Sequence, residues 1–459
     1  MTIPPPPSVR FDAAWKQALA HAGQAAQRFG MNIVVTRDLL GRASLLVDDR
    51  ADPLTANAPD VVSTRDDFAA ATHPFTGLEP LVLGSLLFAP DLFFAGGDRT
   101  EVSASHGDVG SVHALERTVI GADWTSAPVP ARTPSDGDWD RRDRRVAMYG
   151  FKGGVGRSTA TAMLARYLAD RGRCVLVVDL DLESPGVSNL LESPSGIPRH
   201  GIVDHLIEAA VGHADGLELV ARGTALPVRG ESNGEVWFAP AGGTPRAGEH
   251  SDYLAKLNRI YSDLAPLIPG EGPRPFATRL EQAISACEDQ VAELSRRPDV
   301  VLLDCRAGMH DIAAVTLTHL SGLALLFTVD NPSTWEGYRM LFKQWRQRQD
   351  HAGDLVERLR VVAAMFNSAG DINRLLALQE RAYNLFADTL YEPDSTYVSA
   401  PDAEDAPHSP IPILFGNDLI GLDPLRSSAW PELPMVEAVY QTFTTTVERL
   451  LPPPHPEPS

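Results

Sequence analysis

Cysteine is scarce in this 459-residue chain, and the three present, Cys174, Cys287 and Cys305, are far apart in sequence. An odd, scattered set argues against a disulfide framework and fits a reducing cytoplasm. No C-x-x-C pair occurs, so a zinc or iron–sulfur site has no support. His21, His73, His106 and His113 are scattered without metal-ligand spacing. No apolar run reaches the ~18 residues expected of a spanning helix. The start, MTIPPPPSVRFDAAW, has no basic flank followed by an apolar stretch, so a secretory signal is not expected. Positive charge is in deficit as well: 40 Lys and Arg face 60 Asp and Glu, a formal charge of −20. Such a chain is repelled by bulk nucleic acid and anionic lipid unless it carries a local basic patch.

What is present is ordinary globular material. Apolar residues make up 44% of the chain, and its length suits two or three domains. Residues 1–7 are proline-rich and read as disordered. Phe11, Trp15, Leu19 and Ala22 then mark an amphipathic helix over Phe11 to Phe29. Asn32 to Thr36 and Ala43 to Val47 read as paired strands, with a mixed segment running on to about Trp124. Residues 1–126 are therefore expected to form a small N-terminal α/β domain, and 127–144, rich in Pro and mixed charge, a linker. From Arg145 onward strands and helices alternate, which implies a mostly parallel, doubly wound sheet over 145–450. Its strands are expected at Arg145–Tyr149, Cys174–Leu180, Leu217–Ala221, Val236–Ala239, Val300–Cys305, Leu323–Val329, Arg360–Phe366 and Ile411–Phe415. The stretch 392–410, rich in Pro, Asp and Ser, reads as a disordered insertion, and 451–459 as a disordered tail.

The chemistry sits at strand ends. The first strand of the larger domain runs into FKGGVGRST, Phe151 to Thr159, and then into a helix. A strand, a glycine-rich loop and a helix in that order make a phosphate cradle, because inward-turned N–H groups and the helix N-terminus favour an anion. The loop departs from G-x-x-x-x-G-K-[ST] twice. Phe151 stands at the first glycine and Arg157 at the lysine, while a second cation, Lys152, opens the loop. Gly153, Gly154, Val155, Gly156 and Arg157 form the expected cradle. Ser158 is placed to put its hydroxyl on Mg²⁺, and Thr159 to reach an α-phosphate. The next strand ends in VVDLDLESPG, with Asp179 and Asp181 two apart. A third ends in VVLLDCRAG, an apolar run closed by Asp304, the pattern of a magnesium-holding Walker B carboxylate. Asn367 closes RVVAAMFN, where a turn asparagine would serve equally well.

Lys-Gly-Gly-x-Gly, followed by Asp-x-Asp and by the Asp304 to Gly308 segment, resembles the deviant Walker A loop of the ParA/MinD ATPases. The resemblance covers roughly 145–450. It implies a P-loop NTPase fold with ATP and Mg²⁺ as ligands. By it, Lys152 reaches the nucleotide of a dimer partner, Asp181 orients the attacking water, and Asp179 supports the magnesium shell. Gly308 offers its N–H to the γ-phosphate, and Asn367 reads the base. More narrowly, KGGVGRS with VDLDLESPG and DCRAG looks like a bacterial subgroup in which the phosphate lysine is an arginine. The resemblance implies an ATP-dependent homodimer that hydrolyses ATP; the chain is expected in the cytoplasm, with the N-terminal domain carrying partner recognition or output.

Other branches are excluded by what is missing: the cysteine pairs of iron–sulfur carriers and tail-anchor targeting ATPases, a tyrosine-rich tail, and a basic amphipathic C-terminal helix. Arg339, Lys343 and Arg346 share a predicted helix face beside Trp335 and Trp345, and read as a solvated face rather than a nucleic-acid patch. Arg157 opens a different reading. A planar guanidinium binds phosphate but departs from ammonium geometry. A nucleotide sensor with little or no turnover, in a multi-component signalling or defence assembly, is therefore the competing expectation.

Overall fold

The computed structural model describes residues 9–96, 99–105, 109–116, 141–226, 228–229, 232–245, 252–261, 275–346, 352–367, 373–393, 395–416, 419 and 434–455. The proline-rich start and most of the expected linker (127–140) lie outside these residues. The chain divides into two compact units, Met1–Ile120 and Gly121–Ser459. No helix among the described residues is long and apolar enough to cross a membrane.

The first unit holds β1 (Ile33–Arg37), β2 (Ala43–Val47), β3 (Thr76–Leu83), β4 (Thr100–Ser103) and β5 (Val112–Glu116), in the order β3-β2-β1-β5-β4. β1 and β2 are antiparallel, with Ile33 opposite Val47 and Arg37 opposite Ala43. Their turn is closed by the Asp38 carboxylate, which accepts from the N–H groups of Leu40 (2.9 Å) and Arg42 (2.8 Å). Helices Phe11–Phe29 and Pro59–Thr72 cover one face. The first helix differs from its expected packing. Its buried stripe is Ala14, Ala18, Ala22, Ala25 and Ala26, and Phe11 is 45% exposed. Alanine lets the helix lie close to the sheet. The larger rings sit at the margin, where the Arg37 guanidinium lies 4.8 Å from the Phe11 ring centre and 4.4 Å from that of Trp15.

The second unit is built on β6 (Arg145–Gly150), β7 (Cys174–Leu180), β8 (Ala221–Arg222), β9 (Glu235–Ala239), β10 (Val300–Cys305), β11 (Leu323–Thr328), β12 (Leu359–Phe366) and β13 (Ile411–Leu414). The order is β13-β12-β11-β6-β10-β7-β9-β8. Every pairing is parallel except that of the two-residue β8 with β9. The strand expected over Leu217–Ala221 thus shrinks to Ala221–Arg222. Every residue of β6, β7, β10 and β11 is buried, as parallel strands covered on both faces require. Alternate residues feed opposite cores. Val146, Met148, Val175 and Val177 pack with helices Arg157–Ala169 and Pro434–Leu450. Cys174, Leu176 and Val178 face helices Ile202–Ala210 and Phe276–Leu294, and Ala147 and Tyr149 face Pro332–Arg346. The sheet is doubly wound, and β6, β7 and β10 bring their carboxyl ends together, where ligands of such sheets sit.

Two segments expected to be disordered are held in place. Within 392–410, His408 is fully buried, bonds the Tyr391 hydroxyl (2.7 Å) and the Pro401 carbonyl (3.0 Å), and carries a turn whose Val398 carbonyl accepts from Tyr383 (2.8 Å). Composition hid this because the contacts come from aromatic residues outside the polar run. In the tail, the Pro452 and Pro453 carbonyls accept from Arg173 (2.8 Å) and Arg144 (3.0 Å), and the His455 N–H donates to Asp299 (2.7 Å). Residues 456–459 lie outside the described residues.

The foot of β6 carries a buried ion pair. Arg145 and Glu288 are each 1% exposed and joined by two bonds of 2.7 and 3.0 Å, with Arg141 also on Glu288 at 3.1 Å. Removing one partner strands the other charge in the core. Arg145→Met is expected to cost about 3–5 kcal/mol in urea unfolding, and Arg145→Met with Glu288→Met considerably less. Equal losses in the single and double variants would contradict this.

Candidate functional site

The loop between β6 and helix Arg157–Ala169 takes its path from its glycines. Gly154 (φ 74°) and Gly156 (φ 77°) are left-handed, and a Cβ on either would meet no atom within 4 Å. They are therefore required by backbone conformation, and the space before the loop is open. Gly153 is exposed, whereas Val155 is buried and anchors the turn. Gly156 ends the loop, and its carbonyl accepts the Ala160 N–H (3.0 Å). Phe151 leaves the loop altogether. Its ring lies 6.0 Å from that of Tyr338 and fills the space beside Gly337, and its N–H donates to the Tyr338 hydroxyl (3.3 Å). The residue in place of the first glycine is thus a hydrophobic anchor.

The two cations take different directions. Lys152 is exposed at the rim and donates to Ser333 Oγ, which in turn donates to Asn331 Oδ1 (2.9 Å). Arg157, 7% exposed, turns inward. Its Nε donates to Asp304 Oδ1 (3.0 Å) and one terminal nitrogen to Asp181 Oδ2 (3.2 Å). Ser158 Oγ donates to the other Asp304 oxygen (2.7 Å), and Thr161, absent from the sequence reading, lies 3.5 Å from Oδ1. Thr159 follows, half-buried, in the first turn.

Asp179 and Asp304 face each other across the β7–β10 pairing. Asp179 accepts from the N–H groups of Asp181 and Gly186 and from Ser188 Oγ, each at 3.2 Å. Burial, and then the charge of Asp304, push Asp179 up to about 7. Burial also raises Asp304 and Asp181, and Arg157 opposes both shifts. Burial disfavours the charge on Arg157, yet Asp304, Cys305 and Asp181 together outweigh it and the net shift is upward. Asp181 Oδ1 is buried with no hydrogen-bond partner among the described residues.

The donor set of one hydroxyl and several carboxylates suits a hard divalent cation such as Mg²⁺, and the orphaned Asp181 oxygen leaves acceptor capacity unused. Among the described residues no cluster of three His, Cys, Asp or Glu could cage a metal alone. Full access to Asp304 requires Arg157 to let go.

Two expected residues stand apart. Gly308 (φ 87°) gives its N–H to the Gly150 carbonyl (3.2 Å), so the phosphate contact expected of it needs that loop to shift. Asn367, exposed at the end of β12, is separated from β6 by β11, and its carbonyl accepts from Arg374 (3.3 Å). The basic helix face behaves as a structural surface: Arg339 pairs with Asp388 (2.9 Å) and Trp345 is buried.

Arg157→Met removes the cation between Asp304 and Asp181. Both carboxyls are already raised, so the folded state binds their protons more tightly than the unfolded chain, and stability from these groups falls as pH rises. Losing Arg157 raises them further. The variant is expected to lose about 3–5 kcal/mol at pH 8 and distinctly less at pH 5, read as urea midpoints. A loss independent of pH would refute the electrostatic role.

The family model of the CobQ/CobB/MinD/ParA nucleotide binding domain matches residues 146–387. A Rhizobium rhizogenes protein provisionally named replication protein A is 29% identical over 188 residues, 40% of this chain and 39% of that protein. The chromosome-partitioning ATPase Soj of Thermus thermophilus is 38% identical over 78 residues, 17% of this chain and 31% of Soj. The chain thus spans well under half the length of these curated relatives. Among solved structures, a ParA family ATPase from Chlorobium tepidum superposes with TM-score 0.40 at 13% identity, covering 67% of this chain and 99% of that one. The cell division ATPase MinD of Pyrococcus furiosus gives 0.38 at 18%, with 67% and 99% covered. With more than half its length inside the family model, the chain belongs to the CobQ/CobB/MinD/ParA nucleotide-binding family and carries its ParA/MinD-type P-loop fold.

Proposed function

We propose that the larger unit binds ATP with Mg²⁺ and works as a dimerising ATPase switch in the cytoplasm, with the N-terminal unit meeting a protein partner. The observation that carries this reading is the convergence of Arg157 and Ser158 on Asp304 at the mouth of an open glycine loop. The polyphosphate would lie over the N–H groups of Gly153 to Thr159 at the start of a 13-residue helix. Arg157 would exchange its carboxylate partners for phosphate oxygens, which a planar guanidinium binds in bidentate fashion. Ser158, Asp304 and Asp179 would hold the Mg²⁺ shell, partly through water. When bound, the ion offsets charge on the β- and γ-phosphates. Asp181, with one oxygen unpartnered, would orient the attacking water, and Asn367 would read the adenine edge. Lys152, exposed at the rim, suits a reach to the nucleotide of a second copy.

The same arginine favours a second reading, a nucleotide sensor with little turnover. Ångström-scale displacement of a transition-state contact can cost ~100-fold in rate, and guanidinium does not reproduce the position of an ammonium.

Light scattering with ATP, ADP or neither, with phosphate release followed in the same samples, separates the readings. The switch predicts an ATP-specific dimer with phosphate release, and Lys152→Ala is expected to abolish the dimer. An unchanged monomer–dimer balance in that variant would sink the bridging role of Lys152. Binding without release, with turnover raised at least roughly tenfold by Arg157→Lys, would establish the sensor.

A further inference from the structure

The segment Asp252–Tyr261 lies between β9 and helix Phe276–Leu294. It has a firm base. Asp252 caps the short helix Tyr253–Leu257 by accepting from the Ala255 N–H (3.0 Å). Lys256 pairs with Asp204 (2.6 Å), whose second oxygen accepts from the N–H groups of Gly201 (2.8 Å) and Gly243 (3.1 Å). Ile260 is fully buried, its carbonyl accepts from Arg279 (2.7 Å), and the Tyr261 ring lies 5.4 Å from that of Phe276.

From this base two tyrosines reach neighbouring residues of the loop after β7. The Tyr253 hydroxyl donates to the Leu182 carbonyl (2.6 Å), and the Tyr261 hydroxyl donates to Glu183 Oε1. Glu183 Oε2 forms an ion pair with Arg306 (2.7 Å) in the loop after β10, a charge contact without hydrogen-bond alignment. One carboxylate thus joins three segments: the tyrosine arm, the loop bearing Asp181, and the loop bearing Gly308. The pair is well shielded, with side chains 20% and 30% exposed.

We propose that Glu183 is a positioning residue of this site, fixing the Asp181 loop against the Gly308 loop while Tyr253 and Tyr261 brace it from the arm. Its effect on turnover rests on the ATPase reading above; the tether itself does not. Asp181 lies two residues from Glu183, and its open oxygen can orient water only if the loop backbone is fixed. The Arg306 charge already bears on Asp181. Held by Glu183, that guanidinium is kept from competing for the open carboxylate oxygen. The braced loop also contains the N–H groups of Asp181, Ser184 and Gly186, bonded to Asp179, Asp181 and Asp179 in turn. Loosening Glu183 therefore loosens the setting of the magnesium-side carboxylate too.

The test uses the full chain with Glu183→Gln and Tyr261→Phe, both close in shape to the native residue. Hydrogen exchange over 181–187 is measured without nucleotide, and a fluorescent ATP analogue gives affinity and kcat. Glu183→Gln is expected to raise exchange about tenfold and to lower kcat about tenfold, with affinity within ~3-fold; Tyr261→Phe follows in the same direction but less far. Unchanged exchange in Glu183→Gln overturns the tether. Raised exchange with unchanged kcat overturns the positioning role. If the wild-type chain fails to bind the analogue, the ATP reading fails on its own, and exchange still decides whether the tether exists.

Discussion

A buried guanidinium between carboxylates organises this site. Three aspartates gather at the ends of β7 and β10, and all are raised by burial. Left to themselves they would repel one another in a poorly solvated space. Arg157 relieves this by pairing with Asp304 and Asp181, and Ser158 adds a hydroxyl to Asp304. The cost of gathering negative charge at these strand ends is met internally by the guanidinium. In the function proposed above, a polyphosphate would compete for Arg157 and a divalent cation for the aspartates, so the two ligands together would replace both halves of the ion pair.

The loop's departures from the common P-loop pattern have separate physical reasons. Phe151 joins the aromatic cluster under helix Pro332–Arg346, tilted beside Tyr338 and packed against Gly337. It moors the start of the loop by packing where a glycine would give only freedom. Arg157 has the reach and the fork geometry to span two carboxylates, which a lysine ammonium, as a compact point charge, does less well. Lys152 stays outside with Ser333, leaving the interior to a single cation among the described residues of the loop.

Much of the fold was legible because parallel buried strands are written as unbroken apolar runs. CVLVVDL and VVLLDC define β7 and β10 to the residue, and the strand–loop–helix order placed the glycines. Carboxylates at the ends of such runs fall near the loop because the strand order puts β10 between β6 and β7. What could not be read is what depends on partners distant in sequence. The direction of Arg157 is set by Asp304, 147 residues away. The brace on Glu183 comes from Tyr261, 78 residues on, and spacing alone does not reveal it. Composition misled at 392–410, where polar residues conceal a buried His408, and at the first helix, where alanines form the contact stripe and the aromatics lie at its margin.

In the proposed function Asp304 holds Arg157 until phosphate competes for it. The most direct test is metal-free ATP affinity across a cycle of wild type, Asp304→Asn, Arg157→Met and the double variant. Asp304→Asn is expected to tighten binding about tenfold when Arg157 is present and to have little effect when it is absent. Equal changes in both backgrounds, or weaker binding in Asp304→Asn, would contradict it.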